Sequence, residues 1–180
     1  MHFIRSFGAA LVAALSLSTV ASAQMATPVP DFGGNFASMK FQLGTWVCKT
    51  TKNTAGRGAG RTETDTTTMT LDGHYQLTTG VSKPFDKART RTINSTSYLG
   101  WDPATKVWVS WSADNFGNFG YQTSPGWVGS KITFTDKWSS GGAPLGVAII
   151  TKVSETKTTS TYSVKTPKGI QTSENECTKA

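Results

Sequence analysis

Side chains that could do chemistry are few in this sequence, and most of them are paired carboxylates. Glu63 and Asp65 alternate along one predicted strand and therefore share a face, as Glu174 and Glu176 do on another. Paired carboxylates can act as general acid and base or bind Ca²⁺. Near strand ends they are usually solvated instead, so we predict neither a catalytic nor a metal site from them.

His74 is the only histidine after the N-terminal segment, and it lies beside a predicted hairpin turn. A lone histidine in that position is typical of an ordinary strand or surface residue. The sequence also lacks a Ser/His/Asp order, a metal-spaced His/Cys cluster and a glycine-rich phosphate loop. We therefore predict no catalytic residue, no metal and no cofactor.

Short runs rich in Val, Thr, Trp and Tyr, separated by turn residues, predict an all-β chain. Asp102-Pro103-Ala104-Thr105 is such a turn, because proline presets φ and aspartate bonds back to the backbone. Five of the six tryptophans lie in the predicted antiparallel meander Tyr98–Trp138. A single short helix is predicted over Gly33–Gln42. The predicted strands are Leu43–Lys52, Arg61–Leu71, His74–Lys83, Thr90–Trp101, Lys106–Ala113, Phe119–Thr123, Trp127–Trp138, Leu145–Glu155, Thr158–Thr166 and Ile170–Thr178.

The first 23 residues have the pattern of a secretory signal peptide. Arg5 supplies the positive charge, Phe7–Val20 the apolar region and Ala21-Ser22-Ala23 the small-residue cleavage site. The apolar run is too short for a lasting membrane span, so we expect no membrane insertion. Residues 24–32 are expected to be an extended leader and residues 33–180 a single domain, periplasmic or secreted.

Cys48 and Cys177 are the only cysteines, and they lie near the two ends of the predicted domain. In an oxidising compartment such a pair indicates a disulfide, the alternative being two buried thiols. A bridge would make the first and last strands neighbours. Together with the strand count, this predicts a closed antiparallel β-barrel of about ten strands with one short N-terminal helix.

The net charge of +7 could indicate a nucleic-acid partner. However, the Lys and Arg residues are scattered singly through threonine-rich strands, without interleaved stacking aromatics. Such lysines are typical of solubility and edge protection. We expect no nucleic-acid binding and a monomer or weak dimer.

The side chains expected inside the barrel follow from strand alternation. Placing Lys106, Lys131 and Lys152 in solvent turns the intervening apolar residues inward. A barrel of this size can enclose a small ligand, although a filled core would give the same sequence pattern. The predicted cavity wall is Trp46, Tyr75, Leu77, Val109, Trp111, Ile132, Phe134 and Ile149, with the loops Asn53–Gly60 and Asp114–Asn118 at its mouth.

Two motifs support a family resemblance. Leu43-Gly44-Thr45-Trp46, after a short helix, resembles the start of lipocalin and calycin barrels. Tyr98–Lys106 and Pro125–Gly129 resemble the bacterial domain of unknown function 1579, which is calycin-like. The resemblance implies a calycin-like barrel with a cavity for small apolar molecules.

Related nitrobindin-like barrels hold haem through a late histidine, which is missing here, so haem is not expected. Lipocalins pack an arginine from a late strand over the tryptophan. No arginine follows Arg91 here, so a lysine such as Lys165 would have to replace it over Trp46.

The sequence predicts a non-catalytic, extracytoplasmic barrel that binds a small hydrophobic or amphipathic molecule. One alternative is an envelope-associated structural or interaction module with a filled core. The other is a hydrolase or isomerase that uses an interior carboxylate such as Asp65 or Asp136. A raised pKa at one interior acid would favour the second alternative.

Overall fold

A computed structural model of the chain describes residues 36–54, 60–84 and 90–180. The predicted signal peptide 1–23, the leader 24–32 and the start of the predicted helix lie outside the described residues. So do parts of two predicted loops, residues 55–59 and 85–89. No helix in the described part of the chain has the length and apolar character needed to cross a membrane.

The described chain consists of strands joined by short turns, with two pieces of 3₁₀ helix. The first helix is Ala37–Gln42 and the second is Ser140–Gly142. The strands are β1 Gly44–Asn53, β2 Thr62–Thr70, β3 Tyr75–Ser82, β4 Ile93–Asp102, β5 Val107–Asp114, β6 Phe119–Ser124, β7 Trp127–Val128, β8 Lys131–Ser139, β9 Gly146–Ser154, β10 Lys157–Thr166 and β11 Gly169–Lys179. The all-β prediction is confirmed.

The strands form one antiparallel sheet that closes on itself. Strands β1 to β6 pair with one another in sequence order, and so do strands β8 to β11. β1 also pairs with β11. The pairing of β6 with β8 completes the ring, so ten strands make the barrel wall and β7 is a short appendage on β8. Full closure leaves no long sheet edge unpaired. The predicted closed barrel of about ten strands is confirmed.

A disulfide joins the two strands at the ends of the domain. Cys48 on β1 and Cys177 on β11 lie directly opposite each other in the register and are bonded. Their sulfur atoms line the interior of the barrel. The predicted disulfide is confirmed, and it lies at the seam where the first strand meets the last.

The predicted strand Trp127–Trp138 is wrong in one respect, because it is two strands. Gly129 has φ +60°, a conformation that glycine adopts without strain. The chain therefore turns back after Val128, and Trp127 pairs with Ile132 instead of continuing in line with it.

The first 3₁₀ helix closes one end of the barrel, which we call the helix end. Met39 is fully buried among Phe36, Trp108, Ile132 and Phe134, and these residues form the main apolar core. Aromatic rings meet edge to face within it, as in the pair Phe36 and Trp108 with centroids 4.9 Å apart.

Hydrogen bonds fix this helix to the strands beneath it. Trp46 Nε1 donates to the Gln42 carbonyl at 2.9 Å, and Gln76 Nε2 donates to the Met39 carbonyl at 3.0 Å. The connections after β1, β3, β5, β8 and β10 lie at the opposite end, which we call the loop end. The described parts of both predicted mouth loops are at the loop end.

Removing the disulfide should weaken the barrel without changing its topology, because the β1–β11 backbone ladder remains. For Cys48→Ala with Cys177→Ala we expect the free energy of unfolding in urea to fall by about 2–5 kcal/mol. The matched control is Val47→Ala with Thr178→Ala, the adjacent outward pair on the same strands. Equal stability of the cysteine variant and the control would contradict a stabilising seam.

Candidate functional site

The barrel is hollow, with an interior cavity of about 630 Å³. This volume is within the range of small-molecule sites in proteins. The lining runs from Phe41 and Gln42 at the helix end to Asn53 and Ser173 toward the loop end. A filled core, the alternative to a cavity in the sequence analysis, is therefore present only at the helix end. We call the remaining space the lumen.

The lumen is apolar at its base. The aromatic and aliphatic surface there comes from Phe41, Trp46, Leu99, Phe134 and Ile150. These residues adjoin the core beneath the 3₁₀ helix, and Phe41 contacts Trp46 edge to face with ring centroids 6.3 Å apart. This part of the lumen can bury an apolar group.

Polar side chains dominate the rest of the wall. They come from seven strands, β2 to β6, β10 and β11, so they form a band of hydroxyl and amide groups around the lumen. Its members are Thr67, Thr78, Ser97, Ser110, Gln122, Thr158, Ser160 and Asn175. A ligand in the lumen therefore meets one apolar end and a polar middle, which is a lining suited to an amphipathic molecule.

Three charged residues also line the lumen, and all three come from β2 or the residue just before it. Arg61 donates through Nε to Ser82 Oγ at 2.8 Å and forms an ion pair through Nη2 with Glu63 Oε2. The second oxygen of Glu63 accepts a hydrogen bond from Ser95 Oγ at 3.3 Å. Arg61 and Glu63 thus neutralise each other's charge, and each also forms a hydrogen bond with a neighbouring serine hydroxyl.

Asp65 has no such partner. Among the residues that the structure describes, no N–H or O–H donor reaches its carboxylate. Its Oδ2 lies 3.5 Å from the sulfur of Cys48, which carries no proton in the disulfide. Burial, followed by repulsion from Glu63, raises the pKa of Asp65 to about 7 against the opposing effect of Arg61. This acid therefore changes charge near neutral pH.

Gly80 on β3 leaves space for the two carboxylates. A methyl group at this position would lie 2.7 Å from one oxygen of Asp65, 2.7 Å from one oxygen of Glu63 and 2.4 Å from Ser95 Oγ. A side-chain carbon this close would force the ends of these side chains to move, so glycine lets both carboxylates converge here without displacement. We call Glu63, Asp65 and the space over Gly80 the carboxylate cradle.

Among the described residues that line the lumen, Gln76 has a fully buried polar atom without a partner. The side chain is 2 % exposed, and its Nε2 already donates to the backbone of the 3₁₀ helix. Its Oε1 is buried without a hydrogen-bond partner. Trp127 Nε1 is also buried without a partner, but Trp127 does not line the lumen.

Asp136, the other acid considered from the sequence, is fully satisfied. Its oxygens accept from Gln122 Nε2 at 2.6 Å, the Gly146 amide at 2.8 Å and the Tyr162 hydroxyl at 2.7 Å. Burial and the bond to Asp136 raise the pKa of Tyr162, which keeps the phenol protonated as a donor. Asp136 thus braces β6, β8, β9 and β10 through hydrogen bonds to both of its oxygens.

Three of the eight residues predicted to form the cavity wall point inward. Trp46 and Phe134 line the lumen. Ile132 also points inward but is fully buried in the core beneath the 3₁₀ helix.

The other five face away from the lumen, so their predicted orientation is wrong. Their strand neighbours line the lumen instead: Gln76 and Thr78 flank Leu77, Ser110 lies between Val109 and Trp111, and Ala148 and Ile150 flank Ile149. Tyr75, Trp111 and Ile149 are exposed.

The reference lysines explain three of these errors, those at Val109, Trp111 and Ile149. Lys106 lies in a turn with φ +54°, so the alternation of β5 cannot be counted from it. Lys152 lies on the inward-facing side of β9 at the helix end, where its Nζ reaches over the Phe41 ring at 4.5 Å. Tyr75 and Leu77 were misplaced for a different reason, since β3 turns its polar side inward.

The misplaced Trp111 belongs to a row of aromatic side chains on the outer surface. Tyr98, Trp111, Tyr121 and Trp138 lie opposite one another across β4, β5, β6 and β8. Tyr98 and Trp111 are in contact, with ring centroids 5.2 Å apart. Of the five tryptophans in the segment, Trp111 and Trp138 therefore lie on the outside of the barrel, whereas Trp101, Trp108 and Trp127 lie in or against the apolar core.

A lysine from a late strand does pack over Trp46, but it is Lys179 and not Lys165. Lys179 Nζ lies 5.6 Å from the Trp46 ring and donates to the Phe41 carbonyl at 3.2 Å. Lys165 is exposed elsewhere on β10. The cation over Trp46 also ties the end of β11 to the 3₁₀ helix.

Glu174 and Glu176, the second carboxylate pair, face outward. They form ion pairs with Lys52 at 3.1 Å and Lys157 at 3.0 Å. Exposed pairs of this kind contribute little to stability. Within the described residues, no group of three or more His, Cys, Asp and Glu is placed to hold a metal ion.

The titration of Asp65 should appear in the pH dependence of stability. Because its pKa is about 7 in the folded protein and ordinarily 3.8, the folded form retains a proton that the unfolded form loses. Stability from this group is therefore complete below pH 4 and is lost as pH rises to 7. The difference in unfolding free energy, Asp65→Asn minus wild type, should grow by on the order of 3 kcal/mol over that interval.

Urea unfolding at several pH values measures this difference. The control is Asp72→Asn, which removes a negative charge from an exposed turn at the helix end. A difference for Asp65→Asn that grows no more than that of the control would contradict a raised pKa at Asp65.

Comparison with known proteins assigns neither a family nor a function to this chain. The chain matches no protein-family model and no curated protein. The resemblance to calycin barrels and to the domain of unknown function 1579 therefore stays an expectation from the sequence. What the lumen does must be argued from its own residues.

Proposed function

We propose that this barrel binds a small amphipathic molecule in its lumen without chemical conversion, outside the cytoplasm. The observation that carries the proposal is the cavity of about 630 Å³ with an apolar base and a polar, carboxylate-bearing upper wall. Sites for small molecules combine an apolar surface with a few placed polar groups in this way. The extracytoplasmic location rests on the disulfide, since such bonds persist in oxidising compartments.

The polar wall refines the class of ligand expected from the sequence. A wholly hydrophobic molecule would desolvate the hydroxyl and amide groups of Thr78, Ser97, Ser110 and Gln122 without replacing their hydrogen bonds. An amphipathic molecule avoids this cost by placing its polar atoms against them. The calycin-like resemblance points to the same kind of function.

Filling the lumen should abolish binding, whereas changing the outer surface should not. N-phenyl-1-naphthylamine is a suitable probe because its fluorescence rises in an apolar site. We expect Ser110→Phe, which projects a ring into the lumen, to weaken dye binding at least tenfold. The adjacent control Trp111→Phe alters an outward side chain and should bind like wild type.

Circular dichroism and thermal unfolding would establish that both variants fold. Dye binding unaffected by Ser110→Phe, or lost in Trp111→Phe, would place the binding site on the outer surface and contradict the proposal. Failure of the wild-type protein to bind the dye at all would count against an amphipath-binding lumen.

One observation favours a second candidate, a hydrolase or isomerase that uses Asp65 as general acid or base. An acid in a cavity with a pKa of about 7 is suited to proton transfer at neutral pH. The two functions can be distinguished with a compound that binds to both the wild-type protein and Asp65→Asn, by testing whether it is converted. A carrier releases it unchanged from both proteins, whereas an enzyme converts it with wild type alone.

A further inference from the structure

The charged groups of the lumen do not balance. Among the described residues that line it, only Arg61, Glu63 and Asp65 carry charge. The Arg61 guanidinium is already held by Ser82 and Glu63. Within the part of the chain that the structure describes, Asp65 therefore faces the lumen without an ion pair or a hydrogen-bond donor of its own.

A second group, on another strand, has the same need. Gln76 is almost completely buried, lines the lumen and has an unpartnered Oε1. The assignment of its two amide atoms is fixed because Nε2 donates to the Met39 carbonyl. Oε1 must therefore accept, and a ligand that satisfies it must donate.

Both unpartnered groups are acceptors, and the register sets their separation. Asp65 is opposite Gly80, and Gln76 is four residues from Gly80 along β3. At about 3.3 Å per residue this corresponds to roughly 13 Å along the barrel wall. A ligand that satisfies both groups therefore needs one hydrogen-bond donor at Asp65, toward the loop end, and another at Gln76, near the helix end.

We propose that the ligand is an organic cation, a primary or secondary ammonium carried on a compact apolar body. This inference rests on the proposed function and names the ligand class. The ammonium lies against the carboxylate cradle on its lumen side and donates to Asp65 and Glu63. The apolar body extends toward Trp46 and Leu99, and a further donor on it can reach Gln76 Oε1.

Other ligand classes fit these groups less well. An anionic head group would meet Asp65 and Glu63 and would have to break the Arg61–Glu63 ion pair to gain a partner. A neutral alcohol can donate to a carboxylate, but charge-assisted bonds are about twice as strong. An inorganic cation would leave the apolar base and Gln76 without a partner.

Binding should couple to the ionisation of Asp65, because an ammonium group favours the carboxylate form. The charged neighbours are Arg61 and Glu63 on its own strand side, and Asp114 at the end of β5, which interacts with Arg61. From β1, β3 and β4 the groups facing it are the disulfide, Gly80 and Ser95, and none of these titrates. Affinity should therefore rise as pH increases through 7.

A matched set of eight-carbon probes tests the inference. Octylammonium chloride, 1-octanol and sodium octanoate have the same tail and differ in the charge of the head. Each competes with N-phenyl-1-naphthylamine for wild-type protein at pH 8, and displacement is followed by fluorescence. We expect octylammonium to bind at least tenfold more tightly than 1-octanol, and octanoate to bind most weakly.

Variants assign the preference to the carboxylate cradle. In Asp65→Asn the advantage of octylammonium over 1-octanol should fall to threefold or less, and its pH dependence should disappear. Asp72→Asn has the same change in net charge and should keep both. Gly80→Ala should also lose the advantage, whereas Gly120→Ala, where a methyl group meets nothing closer than 3.5 Å, should keep it.

The outcomes separate this inference from the proposed function. Displacement by 1-octanol or octanoate as strong as that by octylammonium would overturn the organic-cation assignment and leave an amphipath-binding lumen. A preference that survives in a folded Asp65→Asn protein would overturn the assignment to the cradle. A protein that binds neither the dye nor any probe would overturn both.

Discussion

The architecture depends on the pairing of the first strand with the last. β1 pairs with β11 from Trp46 to Asn53, and the disulfide between Cys48 and Cys177 lies within that ladder. Ring closure fixes the register of every other strand, since a slip at one pair would have to be absorbed around the barrel. It also creates the enclosed space, and it places Asp65 beside the disulfide within that space.

Because the barrel is closed, the polar groups in its interior are evidence of a binding site. A barrel stabilised only by packing would fill its centre with aliphatic side chains, as happens beneath the 3₁₀ helix around Met39 and Ile132. Above that plug the wall is lined by hydroxyl, amide and carboxyl groups. Keeping Asp65 and Gln76 Oε1 unpartnered in such a place costs stability. Groups retained at a cost in a ligand-sized cavity are typical of a binding site.

Strand count, closure and the disulfide could be predicted from the sequence because turn residues and strand propensity are local signals. The orientation of individual strands could not. Lysines are a poor reference for strand alternation here, because Lys106 lies in a turn and Lys152 reaches over the helix end from an inward position. Apolar residues were also assumed to face inward, which fails where β3 directs Gln76 and Thr78 into the lumen.

A better signal was available at the seam. Trp46 was correctly placed inside, and residues directly opposite in a sheet share a face. Asp65 is opposite Trp46, and Glu63 is opposite Cys48, so the register of one hairpin would have placed both carboxylates in the lumen. That register depends on the length of the β1–β2 connection, and its glycine-rich sequence does not specify how the chain turns.

The central claim is that the lumen holds an unpartnered carboxylate, and it can be tested by ¹³C NMR titration of the Asp65 carboxyl carbon in ligand-free protein. The account predicts a midpoint near pH 7, followed by a shift to lower pH when octylammonium is added. A midpoint near the ordinary value of 3.8, unchanged by the amine, would mean that Asp65 is hydrated or paired and would contradict the account.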